Sequence, residues 1–240
     1  MEVINHLLNY KNIKIYQNSD WFSFSLDSVL LSNFVTINRK INKIIDLGTG
    51  NAPIPLILST RTNALIYGVE IQKEIFELAK KTIKINNKED QIILINDDYR
   101  NIANKFETDT FDVLLCNPPY FEYSETSNLN FNMIKTTARH EIFGKLEDIF
   151  KISKKVLKNN GLLAMVNRTD RLVEIIMLMK QYNIEPKKIR FIYPKRDRES
   201  NLVLIQGRKN GNKGLKILSP LYVHDKNGNY TKEIRKMFGE

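Results

Sequence analysis

The chain has 240 residues, 42% of them hydrophobic, with 37 Lys+Arg against 27 Asp+Glu and a net charge of +10. That is enough apolar material to bury a full core in one domain without cross-links, and the single cysteine, Cys116, excludes an internal disulfide or a Cys-based zinc site. The first residues lack the apolar core of a signal peptide and no run approaches 18 apolar residues, so a cytoplasmic chain without a membrane span or a metal is expected, with a polyanionic partner suggested by the charge.

Short apolar runs alternate with segments of helical period. The predicted strands, in chain order, are 43–48, 65–71, 92–96, 111–117, 162–167, 189–193 and 201–208. Between them, 72–86, 145–158 and 170–182 repeat apolar residues at helical spacing. Such alternation builds βαβ units and a mainly parallel sheet with helices on both faces. No helix separates the last two strands, so one runs antiparallel. The expectation is a seven-stranded Rossmann-like α/β sheet. It forms one domain, with a helical cap over 1–42, a core over 43–208 and an extension over 209–240. The region 121–137 has no period, and a loop of that length inside a compact domain is usually functional.

The stretch "IIDLGTGNAPIPLIL" (44–58) reads as a buried strand, a glycine turn and an apolar helix. Gly48 and Gly50 allow close backbone approach to a ligand, and Glu70 ends the next strand, where an acid can hold ribose hydroxyls. Pro53 stands where a dinucleotide fingerprint needs Gly or Ala, which favours S-adenosylmethionine over NAD. Asp98, in "INDDYR", is a candidate acceptor for the adenine amino group, with Asp97 as competitor and a helix N-cap as the alternative for either.

"CNPPYF" (116–121) follows the fourth strand, on the sheet edge where open α/β folds bind ligands. Its prolines cannot continue a ladder or a helix, which leaves carbonyl oxygens directed at the crevice. An amino group conjugated to a ring is a poor nucleophile because its lone pair is delocalised. The Asn117 side-chain oxygen and the Pro118 carbonyl can hold both N–H bonds out of plane, with Tyr120 stacking on the base. His140 is a candidate for RNA or loop contact. His6 and His224 are expected at the surface, Cys116 in packing, and Trp21 and Phe22 in the core.

"NPPY" after "DLGTG" resembles the amino methyltransferases of adenine N6, cytosine N4 or glutamine amide nitrogen. "IYQNSDWFSFSLDSVLL" (15–31), "ARHE" (138–141) and "YTKEIRKMF" (230–238) narrow the resemblance to bacterial tRNA(Val) adenine-37 N6-methyltransferases, over nearly the whole length. The resemblance implies a class I S-adenosylmethionine-dependent methyltransferase acting on tRNA. In it Asn117, Pro118 and Tyr120 would hold the base, and Asp46, Gly48, Gly50, Glu70 and Asp98 the cofactor. Asp27 lies in the matching amino-terminal element, and Ala52 replaces the third glycine common in the wider superfamily. A glutamine methyltransferase of release factors is less similar, since only about 43 residues precede the glycine turn here. No target-recognition domain of the DNA adenine enzymes is visible, and a non-catalytic RNA-binding module would not need an intact Asn117. Lys187, Lys188, Arg190, Lys195, Arg196 and Arg198, with Lys232, Arg235 and Lys236, form the candidate phosphate-tracking face of a monomer.

Overall fold

A computed structural model describes residues 2–7, 10, 13–18, 25–118 and 145–240. The expected seven strands form as β3 (Lys43–Leu47), β4 (Leu65–Glu70), β5 (Ile92–Asn96), β6 (Phe111–Cys116), β7 (Leu157–Arg168), β8 (Ile184–Tyr193) and β9 (Leu202–Lys209). Two two-residue strands, β10 (Lys216–Ile217) and β11 (Leu221–Tyr222), both pair with β8 and bring the sheet to nine. Across the seven the order is β5-β4-β3-β6-β7-β9-β8, and β9 alone runs antiparallel, to both β7 and β8. Strand order reverses at the β3/β6 pair, so the crevice opens where the loops after β3 and β6 part.

Two apolar layers follow from the two-residue period of the strands. Ile44, Ile66, Leu115, Ala164 and Leu204 face one layer, and Ile45, Val69, Leu114, Met165 and Ile205 face the other. The first layer is covered by α1 (Leu26–Phe34), α2 (Pro53–Ser59) and α3 (Lys73–Ile85), the second by α4 (Ile102–Lys105), α5 (Leu146–Val156) and α6 (Leu172–Gln181). Residues Leu221, Val223, Ile234 and Phe238 join the first layer, so the segment 209–240, ending in α7 (Lys232–Met237), packs back onto the body. Asp112, at the start of β6, accepts from the backbone N–H groups of Asn42 (2.8 Å) and Lys43 (2.9 Å) and from Lys158 Nζ (2.7 Å). One carboxylate thereby ties together the starts of β3, β6 and β7.

The amino-terminal segment departs from the expected helical cap. Residues Glu2–His6 (β1) and Lys14–Asn18 (β2) form an antiparallel hairpin, and among the described residues of this segment only α1 is helical. Ile15 and Gln17 alternate inward, a strand period over a stretch too short to stand out. The outer edge of β2 lies along α3, where Thr82 Oγ1 accepts from Tyr16 N–H (2.9 Å) and Asn86 Oδ1 from Lys14 N–H (2.9 Å). Helix side chains thus satisfy strand backbone that would otherwise be an open edge. Asn51 Nδ2 donates to the Tyr16 carbonyl at 2.9 Å, which joins the hairpin to the turn after β3.

Candidate active site

The turn after β3 places three alternate residues in the left-handed region: Gly48 (φ 70°), Gly50 (φ 58°) and Ala52 (φ 69°). A Cβ at Gly48 or Gly50 would meet nothing within 4 Å, so the glycine backbone borders open space on that side. Ala52 accepts the same backbone with a methyl group, at a cost of roughly 1–2 kcal/mol for an L-residue, and buries it completely. Glu70 closes the turn. Its Oε2 accepts from Gly50 N–H and its Oε1 from Gln72 N–H, each at 2.9 Å, and lone pairs on both oxygens remain for further donors.

Asp46 is fully buried in the middle of the sheet, and Thr49 Oγ1 donates to its Oδ2 at 2.7 Å. Its Oδ1 is buried with no hydrogen-bond partner. Thr49 fits because β4 carries Gly68 opposite Asp46: a Cβ at Gly68 would come within 3.0 Å of the Thr49 side chain. Sequence reading missed Gly68, although a glycine inside an otherwise apolar strand is a signal of close approach. Burial, opposed by the Thr49 hydrogen bond and reinforced by nearby Glu70, pushes the Asp46 carboxyl from 3.8 up to about 7, and burial likewise raises Glu70. Two acids next to open glycine backbone, one with an orphaned oxygen, form an environment that a bound cation with N–H donors would stabilise. S-adenosylmethionine, with its sulfonium and ammonium groups, fits that requirement.

The Asp46 shift has a measurable consequence. A raised carboxyl favours the protonated native state, so folding stability falls as pH rises from about 4 to about 7, by about 4 kcal/mol in all at 1.36 kcal/mol per unit. Asp46→Asn should flatten that decline. The difference in denaturant stability between variant and wild type should grow across this window, and a constant difference would show that Asp46 does not titrate there.

Asn117 follows β6 directly, and Pro118 beside it is buried. The Asn117 amide donates from Nδ2 to Ser28 Oγ at 3.3 Å, and Ser28 is itself buried in the first turn of α1. Sequence reading missed Ser28; its neighbour Asp27 drew the attention. Asp27 lines a cleft with Arg168, Thr169, Asp170, Glu199, Ser200 and Asn201, at the β7–β9 part of the carboxyl edge. Tyr120, Trp21, Phe22, His140 and the 121–137 loop lie outside the described residues.

Asp98 takes the helix-cap role. Its Oδ1 accepts from Arg100 N–H (2.8 Å) and its Oδ2 from Arg100 Nε (2.8 Å) and Nη2. Asp97 is likewise engaged, by Asp98 N–H, Asn101 Nδ2 and Lys105, whose hydrogen bond holds its carboxyl below the ordinary range. Cys116 is buried, as packing requires.

The expected basic face divides. Lys188 Nζ donates to the Phe34 carbonyl (2.7 Å) and Thr36 Oγ1 (3.0 Å) and sits 4.2 Å from the Phe34 ring centre; burial, with nearby Arg61, lowers it to about 8. Arg190 binds Glu233 twice (2.7 and 3.0 Å) and the Ser219 carbonyl, and Lys187 binds two carbonyls of the 212–213 turn. These three cations hold the carboxyl-terminal segment and α1 in place. Lys195, Arg196 and Arg198 are exposed in the turn after β8, at the carboxyl edge of the sheet, and Lys232, Arg235 and Lys236 are exposed on or beside α7. Among the described residues no helix is long and apolar enough to cross a membrane, and no group of three or more His, Cys, Asp or Glu could hold a metal.

Comparison with known proteins agrees with this geometry. A model of the methyltransferase small domain matches residues 25–185. The tRNA1(Val) (adenine(37)-N6)-methyltransferase of Flavobacterium psychrophilum is 25% identical over 184 residues, 76% of this chain and 77% of that protein. Its namesake from Tolumonas auensis is 26% identical over 204 residues, 83% and 82% of the two chains. In three dimensions, a crystal structure described as a predicted O-methyltransferase of Agrobacterium tumefaciens superposes with a TM-score of 0.71 at 19% identity, over 89% of this chain and 95% of the other. Geranyl diphosphate C-methyltransferase of Streptomyces coelicolor, solved with S-adenosyl-L-homocysteine, gives 0.59 at 11% identity over 76% and 79%. With the matching domain covering more than half of its length and the glycine turn in place, the chain belongs to the methyltransferase small domain family.

Proposed function

We propose that the protein methylates the N6 amino group of an adenine in tRNA, at position 37 beside the anticodon of tRNA(Val). The observation that carries the reading is Asn117 held by Ser28 directly after β6, across the strand-order reversal from the glycine turn after β3. The names of the relatives, at about 25% identity, point the same way. Asp46, Gly48, Gly50 and Glu70 would hold the cofactor, which supplies an electrophilic methyl on a sulfonium. An amide whose nitrogen donates to Ser28 is fixed in rotation, and its oxygen becomes a positioned acceptor for the adenine amino group. The Pro118 carbonyl is the second acceptor, and Tyr120 the stacking ring. Both acceptors draw the N–H bonds out of conjugation and aim the nitrogen lone pair, so positioning and electrostatics drive transfer without a strong base.

Incubation with unmodified tRNA(Val) and S-adenosylmethionine, followed by nucleoside mass spectrometry, should yield N6-methyladenosine at one site. Methylation of a release-factor glutamine with no RNA product would replace this reading. The exposed cations set a second expectation. Three phosphate contacts from Lys195, Arg198 and Arg235 at about 0.7–0.9 each give a log–log salt slope of about −2 to −3 for tRNA affinity. Lys195→Ala with Arg198→Ala should flatten that slope and leave cofactor affinity alone, whereas Lys188→Met should lower stability instead. A slope near zero in the wild type would place the RNA elsewhere.

A further inference from the structure

The turn after β8 offers cations for phosphate but a low net charge. Lys195, Arg196 and Arg198 share it with Asp197 and Glu199, which leaves a net charge of +1 (three minus two). Aromatic geometry supplies what charge lacks. β11 aligns Tyr222 with Tyr193 at the end of β8, and their rings lie 5.4 Å apart at 40°. Arg196 places its guanidinium carbon 5.5 Å from the Tyr222 ring centre, within cation–π reach, and is otherwise exposed. Three other arginines are engaged by carboxylates: Arg168 by Asp170, Arg171 by Glu174 and Arg190 by Glu233. Among the described residues no carboxylate pairs with Arg196.

We infer that Arg196, backed by Tyr222 and Tyr193, is a stacking platform for an unpaired RNA base that flanks the methylated one. A planar guanidinium held against an aromatic ring offers an outer face to a base, the mode by which proteins grip splayed single-stranded RNA. The spacing suits this occupant. β8 lies three strand positions from β6, about 14 Å at 4.7–4.9 Å each, a separation that splayed rather than stacked bases reach. Tyr193 and Asn117 both sit at the carboxyl edge, so one loop of RNA can place its target base at Asn117 and lay a neighbour on Arg196. The platform rests on the RNA reading above, and it adds a contact separate from the target base.

The test uses the full-length protein and a fluorescein-labelled anticodon stem-loop RNA, with affinity measured by anisotropy across a salt series. Arg196→Lys keeps the charge and removes the plane. It should weaken binding about tenfold with an unchanged salt slope, and an RNA abasic at the flanking position should bind wild type and variant alike. Tyr222→Ala should behave similarly and Tyr222→Phe like wild type, with cofactor affinity confirming that each variant is folded. Arg196→Lys that binds as tightly as wild type overturns the platform, as does a loss that abasic RNA shows equally. If the wild type methylates tRNA while these variants are unaffected, only the platform falls. If the wild type neither binds nor methylates RNA, the proposed reaction falls and takes the platform with it.

Discussion

Replacing Asn117 by alanine is expected to lower turnover about a thousandfold, or about 4 kcal/mol, while S-adenosylmethionine still binds nearly as well. The asymmetry follows from where the residue acts. Its oxygen gains most when the target nitrogen loses conjugation, which happens only as the methyl transfers, so the loss falls on kcat rather than on binding. Ser28 gives the control. Ser28→Ala removes the acceptor that fixes the amide, at 3.3 Å, but leaves the amide itself, so kcat should fall by only about tenfold. Single-turnover kinetics with saturating cofactor separates the two. Equal losses in both variants would mean that Ser28 shapes the loop rather than orients the amide, and a fully active Asn117→Ala would remove the residue from the chemistry.

Glu70→Ala should weaken S-adenosylmethionine binding by a hundredfold or more, and it should also destabilise the protein. The second effect comes from the structure. Glu70 accepts the backbone N–H groups of Gly50 and Gln72, and its removal leaves two part-buried donors without that acceptor. At about 1–3 kcal/mol for each fully buried unsatisfied group, two part-buried donors put the expected loss near the low end, at about 2 kcal/mol. Calorimetric titration with the cofactor and urea denaturation read the two losses separately. A variant that keeps its stability and loses only affinity would show that the turn holds itself, and unchanged affinity would remove the acid from the cofactor site.

The order of strands and helices was legible because both signals are periodic: β5 and α3 fall within a residue of their expected bounds. The glycine turn after β3 was legible because Gly48 and Gly50 mark a left-handed backbone, and Asn117 falls directly after β6, where the sequence puts it. What escaped was everything set by partners distant in sequence. Ser28 lies 89 residues from Asn117, and Gly68 makes room for a threonine on another strand. The basic cluster misled for the same reason. Lys188 and Arg190 carry the charge that RNA attracts, yet their partners, Phe34 and Glu233, are 154 and 43 residues away. The β1–β2 hairpin was hidden because five-residue strands whose ladder is completed by a helix leave little pattern to read.

The two-sided burial of the sheet bears on how this chain avoids misfolding. Ordinarily a strand displaced by one residue turns its oily side to water and is rejected. Here the buried residues of β3 and β6 lie on both faces and, Asp46 apart, are apolar, so hydrophobicity alone gives little veto on a displaced strand. The veto falls to Asp112, which reaches Asn42, Lys43 and Lys158 only in one alignment. An apolar residue in its place would leave the native core filled while opening a set of near-degenerate pairings. The damage would then surface as slow, heterogeneous refolding and kinetic traps more than as a lower melting temperature.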